Sequence, residues 1–159
     1  MNNSELETLI RNILREQLVP ATPRMQRNAI FQTVDEAVCA AHQAFLRFQQ
    51  CPLKTRSAII SAIREELIPR LTELAEESAK ETGMGNKEDK YLKNKAALDN
   101  TPGIEDLTTT ALTGDGGMVL FEYSPFGVIG SVTPSTNPTE TIINNSISML
   151  AAGNSVYFS

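Results

Sequence analysis

Residues 125–159 constrain the fold of this chain more than any other stretch. Gly127-Val-Ile-Gly-Ser-Val132 is a short, nearly continuous apolar run with small residues, the pattern of a strand buried on both faces of a parallel sheet. A polar turn follows, and then a helix expected over 138–152. Thr136 or Asn137 stands at its N-cap, Pro138 at its first position and Gly153 just past its end. Ser155-Val-Tyr-Phe158 is the next strand. Strand, helix and strand predict a right-handed crossover, and ligands of such sheets sit beyond the carboxyl ends of the strands. Residues 133–139 therefore fall in a ligand crevice. One crossover is too little sheet to stand alone, so the expected class is α/β with an incomplete sheet.

The rest of the chain is mostly helical in pattern. Ser4 and Glu7 form a capping box, after which Leu6, Leu9, Ile10, Ile13 and Leu14 recur on one face, predicting a short amphipathic helix over 1–18. Residues 19–30 hold Pro20 and Pro23 without an apolar period and read as a linker. A helix over about 33–51 carries Val34, Val38, Ala41, Phe45 and Phe48. Another is expected over 53–78 with Ile60, Ile63, Leu67 and Leu71 inward, kinked or restarted at Pro69. Gly83 and Gly85 supply its stop, and a lysine-rich helix over 87–98 follows. A Gly-rich turn at 113–117 then leads into a strand over 118–123.

Composition narrows the function classes. With 14 basic against 19 acidic residues the net charge is -5, which argues against an electrostatic grip on nucleic acid. No apolar run approaches the roughly 20 residues of a membrane-spanning helix. Cys39 and Cys51 lie in stretches read as helical, show no metal-ligand spacing and are read as structural residues of a reduced, cytosolic protein; no metal site is expected. His42, the single histidine, reads as a surface residue.

The crevice loop lacks a GxGxxG fingerprint. Its chemistry rests on Asn137, whose side-chain amide can donate to an oxygen acquiring negative charge, or can simply cap the helix. Ser135 and Thr136 carry the same two readings.

The run from Pro125 through Asn137 to Thr139, with Ala151-Ala-Gly-Asn-Ser155 after it, strongly resembles the first cofactor-binding βαβ unit of the aldehyde dehydrogenase superfamily. Thr133-Pro-Ser-Thr-Asn-Pro138, in place of the Pro-Trp-Asn of ordinary members, is similar to the CoA-acylating branch. The segments at 81–89, 101–103 and 112–117 match that branch too. The resemblance implies an aldehyde dehydrogenase-like fold over 31–159: a helical lead-in and the first βαβ unit of a Rossmann-type cofactor-binding domain, truncated. It implies NAD as cofactor, CoA as co-substrate, a small aldehyde (propionaldehyde, with acetaldehyde the alternative) and a homo-oligomeric full-length enzyme. In such enzymes a cysteine thiolate attacks the aldehyde, hydride passes to NAD and the acyl group to CoA. Asn137 matches the asparagine that stabilises the oxyanion, while Thr133, Pro134 and Ser135 match the loop near the nicotinamide. Ser159 stands where ordinary members place a lysine near the adenosine ribose, so it joins the cofactor-binding positions without that lysine's contact. The family's nucleophilic cysteine is expected beyond Ser159, and the chain alone is expected to be inactive.

The 1–18 helix with its proline-containing linker resembles the encapsulation peptides that carry enzymes into bacterial microcompartments. That implies a shell-protein partner, met through Leu6, Leu9, Ile10, Ile13 and Leu14, and a place in the compartment lumen within the cytoplasm. The implied pathway is 1,2-propanediol degradation, with ethanolamine utilisation the alternative. A non-catalytic shell-binding adaptor, or a helix that merely packs on its own enzyme body, are the other readings.

Overall fold

The computed structural model describes residues 29–159, which fall into two compact units divided between Ala40 and Ala41. The helix expected over 1–18, with Leu6, Leu9, Ile10, Ile13 and Leu14, and the linker up to residue 28 lie outside the described residues.

In the first unit the start of helix α1 (Val34–Phe48) is capped from two sides. Thr33 Oγ1 accepts the Glu36 N–H at 3.2 Å, and the Glu36 carboxylate accepts the Gln32 N–H at 3.1 Å. Early donors that the helix cannot satisfy internally are thereby paired.

The second unit is organised by four helices: α2 (Leu53–Leu67), α3 (Leu71–Thr82), α4 (Lys87–Asn100) and α5 (Pro138–Ala151). Of the two outcomes expected at Pro69 within 53–78, a kink or a restart, the structure has the restart, and the stretch is two helices. A 3₁₀ turn, Ile68–Arg70, separates them because Pro69 has no N–H to continue the ladder. The second of them runs on to Thr82, where Gly83 stops it in a left-handed conformation, φ 62°. Asn86 opens α4 by accepting the Asp89 N–H at 2.7 Å. Ile60, Leu71, Leu98, Ile143, Ile147 and Ala151, drawn from all four helices, form one core. Leu98 and Ile147 are 1% and 0% exposed, and each burial contributes roughly 1.5–3 kcal/mol.

Two small sheets complete this unit. Strands β3 (Val128–Ser131) and β4 (Ser155–Phe158) pair in parallel with α5 between them, so the expected crossover is present. The expectation that β3 is buried on both faces is not met: Gly130 is exposed and Val132 is 83% exposed. The sheet has only two strands, so β3 has a neighbour on one edge alone among the described residues. Strands β1 (Thr110–Gly114) and β2 (Gly117–Phe121) make an antiparallel hairpin. Only the second was expected, over 118–123. The first shows little strand pattern of its own because its Thr-Ala-Leu-Thr is weakly apolar, although Asp115-Gly116 between paired Gly114 and Gly117 is a strong two-residue hairpin signal. The hairpin's side chains are all exposed, Leu112, Met118, Val119, Leu120 and Phe121 included. Among the described residues no helix is long and apolar enough to cross a membrane.

The parallel pair is tied at its amino end by one side-chain and one main-chain hydrogen bond. Asn154, 2% exposed, accepts the Gly127 N–H on Oδ1 at 2.9 Å, and the Gly127 carbonyl accepts the Ser155 N–H at 2.9 Å. Gly127 adopts φ 116° there, a conformation that side-chain-bearing residues rarely take. At the other end Asn145 Nδ2 donates to Ser131 Oγ at 2.8 Å, joining α5 to the last residue of β3. Asn144 Nδ2 donates to Asn145 Oδ1 at 3.1 Å, and the Thr101 hydroxyl reaches Asn144 Oδ1 at 2.9 Å. A polar relay thus runs from the end of α4 to the strand that leads into the crevice loop.

Candidate functional site

The loop from Val132 to Asn137 stands at the carboxyl end of the parallel strands. Main-chain pairing continues beyond the strands themselves. The Ser159 N–H donates to the Ser131 carbonyl at 3.0 Å, and the Thr133 N–H donates to the Ser159 carbonyl at 2.8 Å. Thr133 and Ser159, far apart in sequence, are therefore brought side by side. Pro134 and Ser135 are exposed on the same loop. Thr133 Oγ1 is buried without a hydrogen-bond partner among the described residues. An orphaned hydroxyl, able both to donate and to accept, fits a crevice that receives a polar ligand such as a dinucleotide.

Gly127, just before β3, and Gly130 within it have structural causes that need no phosphate. Gly127 takes the positive φ described above, and a Cβ on Gly130 would lie 2.8 Å from the Tyr157 hydroxyl on the paired strand.

Asn137 precedes α5 and is half-buried. Its carbonyl accepts the Thr141 N–H at 3.2 Å, but its side chain makes no capping hydrogen bond. The side-chain capping reading is therefore overturned. A backbone at φ -140°, ψ 62° accompanies this arrangement, and Oδ1 accepts instead from Lys93 Nζ at 3.3 Å. Since an ammonium only donates, the amide must present its oxygen to Lys93, and its NH2 is left to donate elsewhere. One residue earlier, the Thr136 carbonyl accepts from Lys90 Nζ at 3.0 Å. Lys90 is 5% exposed, and a buried cation needs such a partner. Lys90, Lys93, Thr136 and Asn137 line one cleft with Met84, Gly85, Asn86 and Asp89, and no cysteine is among them.

Lys90 and Lys93 were missed as site residues. Helical spacing puts two lysines three apart on one face of α4, yet nothing local says what they reach across 46 and 44 residues. Cys39 is exposed on α1, so the structural role read for it has no packing behind it. Cys51 lies between α1 and α2 rather than in a helix, its thiol 3.9 Å from the Arg47 carbonyl. His42 is on the surface as expected. No cluster of His, Cys, Asp and Glu suited to a metal exists among the described residues.

Known proteins with the same features are consistent with one another. The Aldehyde dehydrogenase family pattern matches residues 21–158. The CoA-propanoylating propanal dehydrogenase of Citrobacter freundii is 84% identical over 100% of this chain, which spans 34% of that relative's length. A crystal structure of Rhodopseudomonas palustris propionaldehyde dehydrogenase, with bound CoA and an acylated cysteine, superposes with a TM-score of 0.79 at 52% identity, covering 82% of this chain and 30% of that one. The propionaldehyde dehydrogenase of the Clostridium phytofermentans fucose utilisation bacterial microcompartment gives a TM-score of 0.77 at 48% identity over the same shares.

Proposed function

Because the chain belongs to the aldehyde dehydrogenase family, we propose that it is the N-terminal part of a CoA-acylating propionaldehyde dehydrogenase, which converts propionaldehyde, CoA and NAD to propionyl-CoA and NADH. The 84% identity that extends over the whole chain to a CoA-propanoylating enzyme carries this reading. When bound, the nicotinamide cofactor accepts hydride from the aldehyde carbon. Thr133, with its orphaned hydroxyl, and Pro134 and Ser135 beside it hold the nicotinamide side of that cofactor, and Ser159 stands at the rim. Asn137 turns its free NH2 toward the aldehyde oxygen and stabilises the charge that develops there. A donor of this kind supplies about 2.7–4 kcal/mol in the transition state. The nucleophile comes from outside residues 1–159, and the chain alone is inactive.

Residues 1–18 direct the enzyme to a microcompartment shell through Leu6, Leu9, Ile10, Ile13 and Leu14. Their apolar spacing and the microcompartment origin of a 48% identical neighbour support this, and propanediol degradation is the pathway it fits. The full-length enzyme is a homo-oligomer, a reading supported by the exposed apolar β1–β2 hairpin; a monomer on sedimentation would refute it.

Steady-state NADH formation tests the core of the proposal. In the full-length enzyme, Asn137→Ala is expected to lower kcat by about 10²–10³ with little change in KM. Residues 1–159 alone are expected to form no propionyl-CoA. Turnover by those residues alone, or a kcat within twofold after Asn137→Ala, overturns the corresponding statement.

A further inference from the structure

The lysines of α4 have a division of labour. Lys87 pairs with Glu76 at 3.0 Å and Lys95 pairs with Asp99, as solvated surface lysines do. Lys90 and Lys93 have no carboxylate within ion-pairing distance among the described residues, and both reach the crevice loop instead. Asp89, which lies four residues before Lys93 and could have paired with it, accepts from Asn86 Nδ2 at 2.8 Å. The geometry points to Lys93 as the positioning residue of Asn137: its ammonium selects the amide orientation that leaves the NH2 free to donate, and it polarises that NH2.

A side-chain amide has two nearly isosteric orientations, and a free asparagine samples both. With Lys93 Nζ 3.3 Å from Oδ1, the flipped orientation would set an NH2 against an ammonium, donor against donor. The cation on the oxygen also draws electron density from the amide, so the opposite N–H bonds become stronger donors. Lys90 prepares the same site at the backbone. Buried and bonded to the Thr136 carbonyl at 3.0 Å, it sets the residue that precedes Asn137. Lys93 itself is exposed, so changing it leaves the core intact.

This inference rests on the oxyanion-donor reading of Asn137, and a double-mutant cycle in the full-length enzyme separates the two. Lys93→Met is expected to lower kcat about tenfold, the order set by one lost charge-assisted hydrogen bond, with KM unchanged. Lys93→Arg, which restores a donor, recovers most of the loss. In an Asn137→Ala background Lys93→Met adds nothing further, because the group it positions is gone. A kcat within twofold for Lys93→Met overturns the inference, as does an equal loss in the Asn137→Ala background, which would mean that the cation acts on its own. Full activity of Asn137→Ala would instead overturn the donor reading on which the inference stands.

Discussion

Asn154→Ala isolates the device that holds the parallel strands in register. Asn154 lies just past the turn after α5, and its Oδ1 is the acceptor for the Gly127 N–H at 2.9 Å in a buried setting. Alanine removes that acceptor while Gly127, itself buried, keeps its donor. A buried unpaired N–H costs about 1–3 kcal/mol. For a chain of this size each kcal/mol shifts the melting temperature by roughly 2–4 °C, so a drop of about 2–12 °C is expected. Asn100→Ala is the control: Asn100 is exposed at the end of α4, and its change should stay within about 0.5 kcal/mol. Thermal unfolding followed by circular dichroism compares the two, and hydrogen exchange at the Gly127 amide reports the bond itself. If Asn154→Ala melts with Asn100→Ala and the Gly127 amide keeps its protection, Asn154 does not lock the register.

Two more outcomes are expected. Glu105 accepts the Gly103 N–H at 2.7 Å; that bond first, then the Glu105 N–H and the Arg64 charge, hold its carboxyl below the ordinary 4.5. A depressed folded-state pKa means that the ionised carboxylate's contribution is present above the ordinary value and is lost as pH falls through the folded one. A carboxyl titration followed by NMR should therefore place Glu105 below 4.5, and a midpoint at or above that value refutes the assigned cause. Deletion of residues 1–18 from the full-length enzyme should abolish co-purification with microcompartment shells while leaving propionyl-CoA formation intact; unchanged partitioning would remove the targeting role.

Much of the architecture was legible because its causes are local. Pro69 breaks the ladder of a helix interior, Gly83 admits a left-handed stop, and apolar residues at helical spacing mark the face that carries Ile60 and Leu71. The crossover at 128–158 could be read from one strand pattern, one helix pattern and the proline and glycine that bound the helix. β1 escaped because a five-residue strand of weak apolar content is specified by its partner more than by itself. Asn137 shows the same limit at the site. Its position before a helix favours a side-chain cap, and a lysine from a different helix takes that oxygen instead.

The amino-acid order alone thus settles where the helices and the parallel strands run, β1 excepted, and that a polar loop with an asparagine follows the first parallel strand. Those outcomes depend on interactions between residues a few positions apart. Folding in three dimensions decides what the side chains of that loop meet. Lys93 and Asn137 are 44 residues apart, Lys90 and Thr136 are 46, and Gly127 and Asn154 are 27. The two lysines meet their partners because Leu98, Ile143 and Ile147 pack α4 and α5 into one core, and Gly127 meets Asn154 because β3 pairs with β4. No periodicity encodes that, because a hydrogen bond across such separations is set by how whole helices and strands come together and not by the pattern within any one of them.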